Sequence, residues 1–452
     1  MKKYLVLLLM LVSLPGMAAD KLLTHLDFTY TGAFQTYSTQ SNTEAYSGEA
    51  LGYDAVNNSL FISGHRVSKI GYVAEINIPT PGTQTSKATL PYATYRQGPS
   101  TGGYSSTNFW DIADGNVNMT AAGGASCSGD NNGFGGLFVY NGALMASGEQ
   151  DYQATCQFLS YFKASKTLST DSFDGWYGIN PTNETGWYPR QTSGSMAAVP
   201  TVYQTQLGGK VVSTTHGIST PDNVGCFGPA LVIFDPDDLG TKNTATANLR
   251  GTATWLVGYP AAHPTLGHTG TPTVYYTASD YPRSVVIPSN SRTVVFIGTH
   301  GTPGNDCYGN VPPCVDPIIT DKGYHNYPYV DYMWLYDIGN ADGSNTTGNN
   351  VGENGYTSGT KYNTLTAVKL GTTKPWNVIP YEVFAPTGSP FATVVGWSNM
   401  AAAAINPTTN TLYISRGVGS AGPIIEVYSI TTDNPSPPTS VPTIGVGGFR
   451  TW

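Results

Sequence analysis

From Leu51 to Pro79 the chain alternates short apolar runs with polar punctuation: LGYDAV, an Asn-Asn turn, SLFISGH, a loop, then YVAEINIP. Such runs, rich in β-branched and aromatic residues and bounded by Asn, Gly and Ser, predict three short strands. The same grammar returns four more times. A second unit gives GGLFVY (Gly135–Tyr140), ALMASGE (Ala143–Glu149) and CQFLSYFKAS (Cys156–Ser165). A third gives SMAAVPTVY (Ser195–Tyr203), KVVSTTH (Lys210–His216) and ALVIFDPDDL (Ala230–Leu239). The fourth is RSVVIPSN (Arg283–Asn290), TVVFIGTH (Thr293–His300) and YMWLYDI (Tyr332–Ile338). The fifth is MAAAAINPTTN (Met400–Asn410), TLYISRG (Thr411–Gly417) and IIEVYSI (Ile424–Ile430).

One such unit cannot cover both faces of its own small sheet, so the units must pack on one another. A fourth, outer strand is expected after each: Ala88–Tyr95, the Trp176–Tyr188 region, Thr252–Tyr259 and Tyr381–Pro386. The fifth unit runs into a Pro-rich stretch instead. Its missing strand is expected from Leu22–Tyr30, which would close a ring between the chain ends. This grammar resembles the blades of β-propellers. Across nearly all its length the chain resembles exported bacterial propeller proteins, through its repeats rather than a specific signature. The fold class implied is all-β, a β-propeller of five blades. Six or seven stay open, because Trp255–Tyr281 and Ala341–Lys374 are long enough to hold further strands. A pair of β-sandwiches is the competing architecture. The propeller should occupy residues 20–432, and 433–452 form a Pro/Gly-rich tail.

Composition agrees with strands rather than helices. Only 11% of residues are charged, while Gly (53) and Tyr (30) abound. At the N-terminus, Met1-Lys2-Lys3, the apolar run Tyr4–Leu14 and the small residues Met17-Ala18-Ala19 predict a Sec-type signal peptide over residues 1–19. The protein is therefore expected to be secreted or periplasmic, with no membrane span. Losing Lys2 and Lys3 leaves 19 basic against 29 acidic residues and takes the net charge from −8 to −10. That balance, without a basic stripe, argues against nucleic acid as a partner. Five cysteines remain, an odd number, so at most two bridges form within the chain. Cys307 with Cys314 is the first expectation and Cys127 with Cys156 the second, leaving Cys226.

Aligning the second strands by their ends places His65, Glu149, His216, His300 and Arg416 at one repeat-equivalent position. In a propeller that position lies at the face where ligands enter. Imidazoles with a carboxylate suit a divalent metal, and His65, His216 and His300 are the candidate ligands. A His near a carboxylate and an Arg could instead move a proton on an acidic sugar. Arg283, entering an inner strand at the same face, offers a planar fork to a carboxylate or sulfate. Trp397 offers a flat ring to a sugar. The bland alternative is that strand ends recur by shared ancestry and cap neighbouring loops. His263 and His268 lie in a stretch read as irregular, His25 on the closing strand facing outwards, and Asn340–Asn354 as a polar loop between blades.

No Gly-x-Ser-x-Gly elbow, His-Glu-x-x-His, phosphate loop or dinucleotide fingerprint occurs. The functional expectation is thus a binding or interaction module recognising a glycan, surface polymer or protein at its loop-rich face. The alternative is an extracellular polysaccharide lyase or hydrolase with a His-rich central site that could hold a metal.

Overall fold

A computed structural model describes residues 20–36, 48–64, 71–97, 109–112, 132–150, 161–168, 173–184, 192–214, 227–239, 250–259, 262–263, 267–268, 273–277, 279–302, 307–308, 316–317, 324–325, 327–350, 359–392, 400–417 and 422–432. The expected signal peptide and tail lie outside them. Four antiparallel strands make up each blade, numbered here in chain order by their inner strands. The first blade holds Leu51–Asp54, Ser59–Ser63, Tyr72–Asn77 and Thr94–Gln97. The second holds Asn132–Tyr140, Ala143–Gln150, Tyr161–Ser165 and Phe173–Pro181. The third holds Met196–Ala198, Val211–Ser213, Phe227–Phe234 and Arg250–Tyr259. The fourth holds Tyr281–Val286, Thr293–Gly301, Tyr329–Asp337 and Glu382–Phe384. In the fifth, Ala402–Asn406, Thr411–Arg416 and Ile424–Ile430 are completed by Phe28–Gln35, which pairs antiparallel with Ile424–Ile430. Each inner strand touches the inner strands of two other blades, in the cyclic order first to fifth. The molecule is a five-bladed β-propeller closed by its N-terminal strand.

The apolar runs read as continuous because both faces of every blade are covered. Consecutive residues of a strand point to opposite faces. In the first blade Leu60 and Ile62 pack with the fifth, whereas Phe61 packs with the second. Leu144 and Ala146 turn to the first blade, and Met145 turns to the third. Leu412 and Ile414 turn to the fourth blade, and Tyr413 turns to the first.

The turn between inner and second strand carries an Asn in the left-handed region in four blades: Asn58, Asn141, Asn290 and Asn410, with φ of 50°, 48°, 58° and 50°. Asn tolerates that conformation better than other residues bearing a Cβ, and so marks tight hairpins. The third blade departs. There Thr201–Leu207 forms a helix, ended by Gly208 at φ 73°, where the sequence reading continued the inner strand to Tyr203.

Several boundaries move. The closing strand starts at Phe28 rather than Leu22, and His25 lies in a 3-10 turn with Nδ1 2.6 Å from Glu382 Oε1, not on an outward face. The first blade's outer strand falls at Thr94–Gln97, because Gly82 and Tyr92 bridge to the closing strand and hold the preceding segment there. The two long insertions hold small ribbons, Ala262–His263 with Gly267–His268 and Thr347–Asn349 with Lys361–Asn363, so His263 and His268 stand in strands. The polar stretch from Asn340 lies between the third and outer strands of the fourth blade, not between blades.

At the axis, close approach demands small residues. A Cβ at Gly136 would run into the Gly194 carbonyl and the Ser195 backbone of the third blade. Hydroxyls then tie inner strands together: Val285 N donates to Ser195 Oγ at 2.7 Å and Ala403 N to Ser284 Oγ at 2.9 Å. Gly136→Val should therefore cost about 2–3 kcal/mol of stability through overpacking. An unchanged denaturant midpoint would count against this account of the axis.

Tyrosines seal the seam between third and fourth blades. Tyr336 Oη bonds Tyr259 Oη at 2.8 Å and also Tyr276 Oη. Burial holds the Tyr276, Tyr336 and Tyr381 hydroxyls well above the ordinary 10.0. Above pH 10 the unfolded chain releases phenolic protons that the folded chain keeps, so stability falls as pH rises. Ultraviolet titration should show this group ionising only as near-ultraviolet circular dichroism is lost. Full ionisation with the fold intact would contradict the packing.

Candidate functional site

Second strands end, and inner strands begin, at one face of the ring. Of the residues predicted to converge there, His65, His216 and Trp397 lie outside the described residues, as do Cys127, Cys156, Cys226 and Cys314. Glu149 is placed by its backbone alone, in the second blade's second strand. Cys307 is also placed by its backbone, paired with His325 in a two-residue ribbon. The described residues place His300, Arg283 and Arg416 in full, and the three meet different fates.

His300 ends the fourth blade's second strand and is buried. Its Nδ1 lies 2.8 Å from Asp280 Oδ1. Asp280 also accepts from Thr277 Oγ1 (2.7 Å), Thr277 N (3.0 Å) and Gly301 N (3.0 Å). An ionised carboxylate only accepts, so the imidazole proton sits on Nδ1. The ring stacks on Tyr332 with centroids 4.3 Å apart at 18° and meets Trp334 edge-on. Nε2 is buried and has no hydrogen-bond partner among the described residues. Position and ring plane are fixed, and the second nitrogen is enclosed.

Arg283 lies in the fourth blade's inner strand, 4% exposed. Its guanidinium carbon sits 5.4 Å from the centre of the Tyr281 ring. Its Nη1 is 3.8 Å from Glu49 Oε1, an ion pair too long for a hydrogen bond. Among the described residues neither Nε nor Nη1 has a hydrogen-bond partner. Glu49 leads into the first blade, which does not adjoin the fourth, so this pair reaches across the inside of the ring. Ser415 Oγ and Thr214 Oγ1, near the ends of other second strands, are likewise buried without partners. Buried polar atoms are rarely left unpaired.

Arg416 is fully buried and already engaged. Its Nε donates to Glu426 Oε1 at 2.9 Å, and Nη2 donates to Asp331 Oδ2 at 2.5 Å and Glu426 Oε2 at 3.2 Å. Nη1 donates to Asp331 Oδ1 at 3.2 Å. The cluster welds the fifth blade to the fourth, and the structure does not bring it to the His300 imidazole.

Sequence reasoning missed Asp280, Glu49, Asp331 and Glu426. Asp280 and Glu49 carried one signal, since they stand one and two residues before an inner strand in a chain poor in charge. Among the described residues no three His, Cys, Asp or Glu side chains gather as a metal-binding group. No helix among them is long and apolar enough to cross a membrane.

No family model and no curated protein matches the sequence. Solved structures align over most of the ring at low similarity. A glycosyl hydrolase from Bacteroides ovatus is 11% identical, covering 92% of this chain and 99% of its own, with a TM-score of 0.38. A protein of unknown function from Dyadobacter fermentans is 8% identical, covering 90% and 100%, with a TM-score of 0.35. A β-propeller domain from Myceliophteria thermophila is 9% identical, covering 88% and 100%, with a TM-score of 0.26. These are resemblances of overall shape only.

The Arg416 cluster makes a stability test. Burial pushes the Asp331 carboxyl up to about 6, against the pull of Arg416. The folded carboxyl thus holds its proton to higher pH than the unfolded one, so this group's stabilisation is full below about pH 4 and lost as pH rises through 6. Arg416→Met leaves two buried carboxylates facing each other and should cost about 3–5 kcal/mol. Asp331→Asn leaves a neutral pair, should cost far less at neutral pH, and should flatten the stability profile between pH 4 and 6. Equal losses in the two variants would rule out this assignment.

Proposed function

We propose that this chain is an exported binding propeller that takes an acidic glycan at the mouth, seating a carboxylate or sulfate on Arg283. One observation carries the reading: a guanidinium buried inside the ring whose Nε and Nη1 have no hydrogen-bond partner among the described residues. Burying a cation without satisfying its donors is costly, and an oxyanion with two parallel acceptors relieves that cost. Glu49 supplies a counter-charge beside Arg283, but stands too far away to satisfy the fork. The ring's hydroxyls, Ser415 and Thr214 among them, suit the remaining groups of a sugar. A protein exported on the expected signal peptide would be able to meet acidic polysaccharides outside the cell.

Calorimetric titration with polygalacturonate, dextran sulfate and neutral dextran tests this. The acidic polymers should bind and neutral dextran should not. Hydrogen bonds to charged groups contribute about 1.5–3 kcal/mol, so Arg283→Ala should weaken binding at least tenfold. Arg283→Lys, which keeps the charge and loses the fork, should fall between. Glu49→Gln should strengthen binding by removing the competing anion. Binding that ignores polymer charge, or survives intact in Arg283→Ala with the fold preserved, would overturn the reading.

A further inference from the structure

We propose that the mouth reads the ends of acidic chains, admitting a terminal uronate or sulfated sugar to Arg283 and turning internal residues away. This rests on the acidic-glycan reading and names the part of the glycan that is recognised. Arg283 stands inside the ring rather than on its rim. Its side chain is 5% exposed, and that of Glu49, opposite, is 7% exposed. The inner strands of the five blades touch in cyclic order, so backbone walls surround the pair.

Those walls are tight where the pair is anchored. Ser195 N of the third blade donates to the Arg283 carbonyl at 3.2 Å, and Val285 N donates back to Ser195 Oγ at 2.7 Å. On the other side, Ala403 N of the fifth blade donates to Ser284 Oγ at 2.9 Å. The strand carrying Arg283 is thus tied to both neighbours, with no gap between these inner strands through which a sugar could enter from the side. Beside Glu49 the fit is equally close: a Cβ at Gly48 would run into Ser415 Oγ and Pro423 of the fifth blade. A ligand must come along the axis.

The axis is narrow at this level. The 3.8 Å between Arg283 Nη1 and Glu49 Oε1 is ordinary van der Waals separation, so no sugar ring passes between them. An incoming carboxylate or sulfate reaches the guanidinium by taking the place of the Glu49 carboxylate. One anion replaces another, and the buried cation keeps a counter-charge throughout. No covalent bond changes.

This geometry separates termini from internal residues. An internal acidic residue carries a sugar on each side, and both flanking sugars would have to follow its acid group down between the inner strands. The walls leave no room for a chain lying across the axis at that depth. A terminal residue is linked on one side alone. It can enter acid first, with the rest of its chain trailing out of the mouth.

Calorimetric titration of the full chain with polygalacturonate and with dextran sulfate, each intact and cut into short fragments, tests this. The quantity read is the number of binding sites per unit mass of glycan. Mass action then counts ends, so cutting chains to about a tenth of their length should raise the sites about tenfold at unchanged affinity per site. In Arg283→Ala, with the fold checked by circular dichroism, cut chains should gain no advantage over intact ones. Sites per unit mass that stay constant or fall on cutting would overturn the inference and leave the acidic-glycan reading standing. A gain on cutting that persists in Arg283→Ala would place the end-reading site elsewhere and overturn it too. Absence of binding to both glycans, cut and intact, would remove both readings.

Discussion

Everything here depends on covering two apolar faces at once. A four-stranded blade with Leu60 and Ile62 on one face and Phe61 on the other exposes core on either side until neighbours cover both. Five blades in a ring meet that demand only if the ring closes. Closure comes from backbone bonds between Phe28–Gln35 and Ile424–Ile430, so the two ends of the described chain share one sheet. The packing then sets the axis. Inner strands must approach so closely that Gly and Ser stand where larger residues would clash, and serine hydroxyls satisfy backbone groups that no inter-blade ladder pairs.

The same demand sorts polar groups to the two ends of the strands. Most interior positions are filled by apolar side chains from both blades, and buried charges such as Arg416 stand where a strand leaves the ring. Asp331, Arg416 and Glu426 show the structural outcome. Three charges are buried at a seam, each satisfied by the others, and burial still raises the Asp331 carboxyl to about 6. Such a cluster contributes little net stability relative to apolar packing, yet losing one member strands the rest. It pins the seam beside the blade that the N-terminal strand completes.

Much of this architecture was legible in the sequence. The repeated runs gave the blades, and the Asn residues of the hairpin turns gave their punctuation, because few other side chains accept φ near +50°. The third blade's helix was not legible. Thr201–Leu207 follows Pro200 and reads as strand-like through Val202 and Tyr203, and only burial of Tyr203 and Leu207 shows a helical face. Outer strands were least legible, since their pairing follows the blade's edge and not their own pattern; Thr94–Gln97 is polar and half exposed. Aligned strand ends drew attention to His300 and Arg416. Which carboxylates would meet them depends on contacts between strands far apart in sequence.

His300 and Arg416 sharpen that point, because their settings are so alike. Both end a second strand at the same face, and both turn toward the preceding blade, as Phe296 and Ile414 do on the same strands. Ancestry therefore explains their position and cannot explain their difference. Counting partners does. The Arg416 guanidinium donates to four carboxylate oxygens, and its charge is met by two anions in fixed geometry. His300 meets one carboxylate through one nitrogen and keeps the other, while Arg283, three residues from that carboxylate, keeps two N–H-bearing nitrogens without an acceptor. At repeat-equivalent sites, a charge whose partners are complete holds the ring together. Under the proposed function, Arg283, left incomplete at the mouth, is the group that would meet something brought from outside.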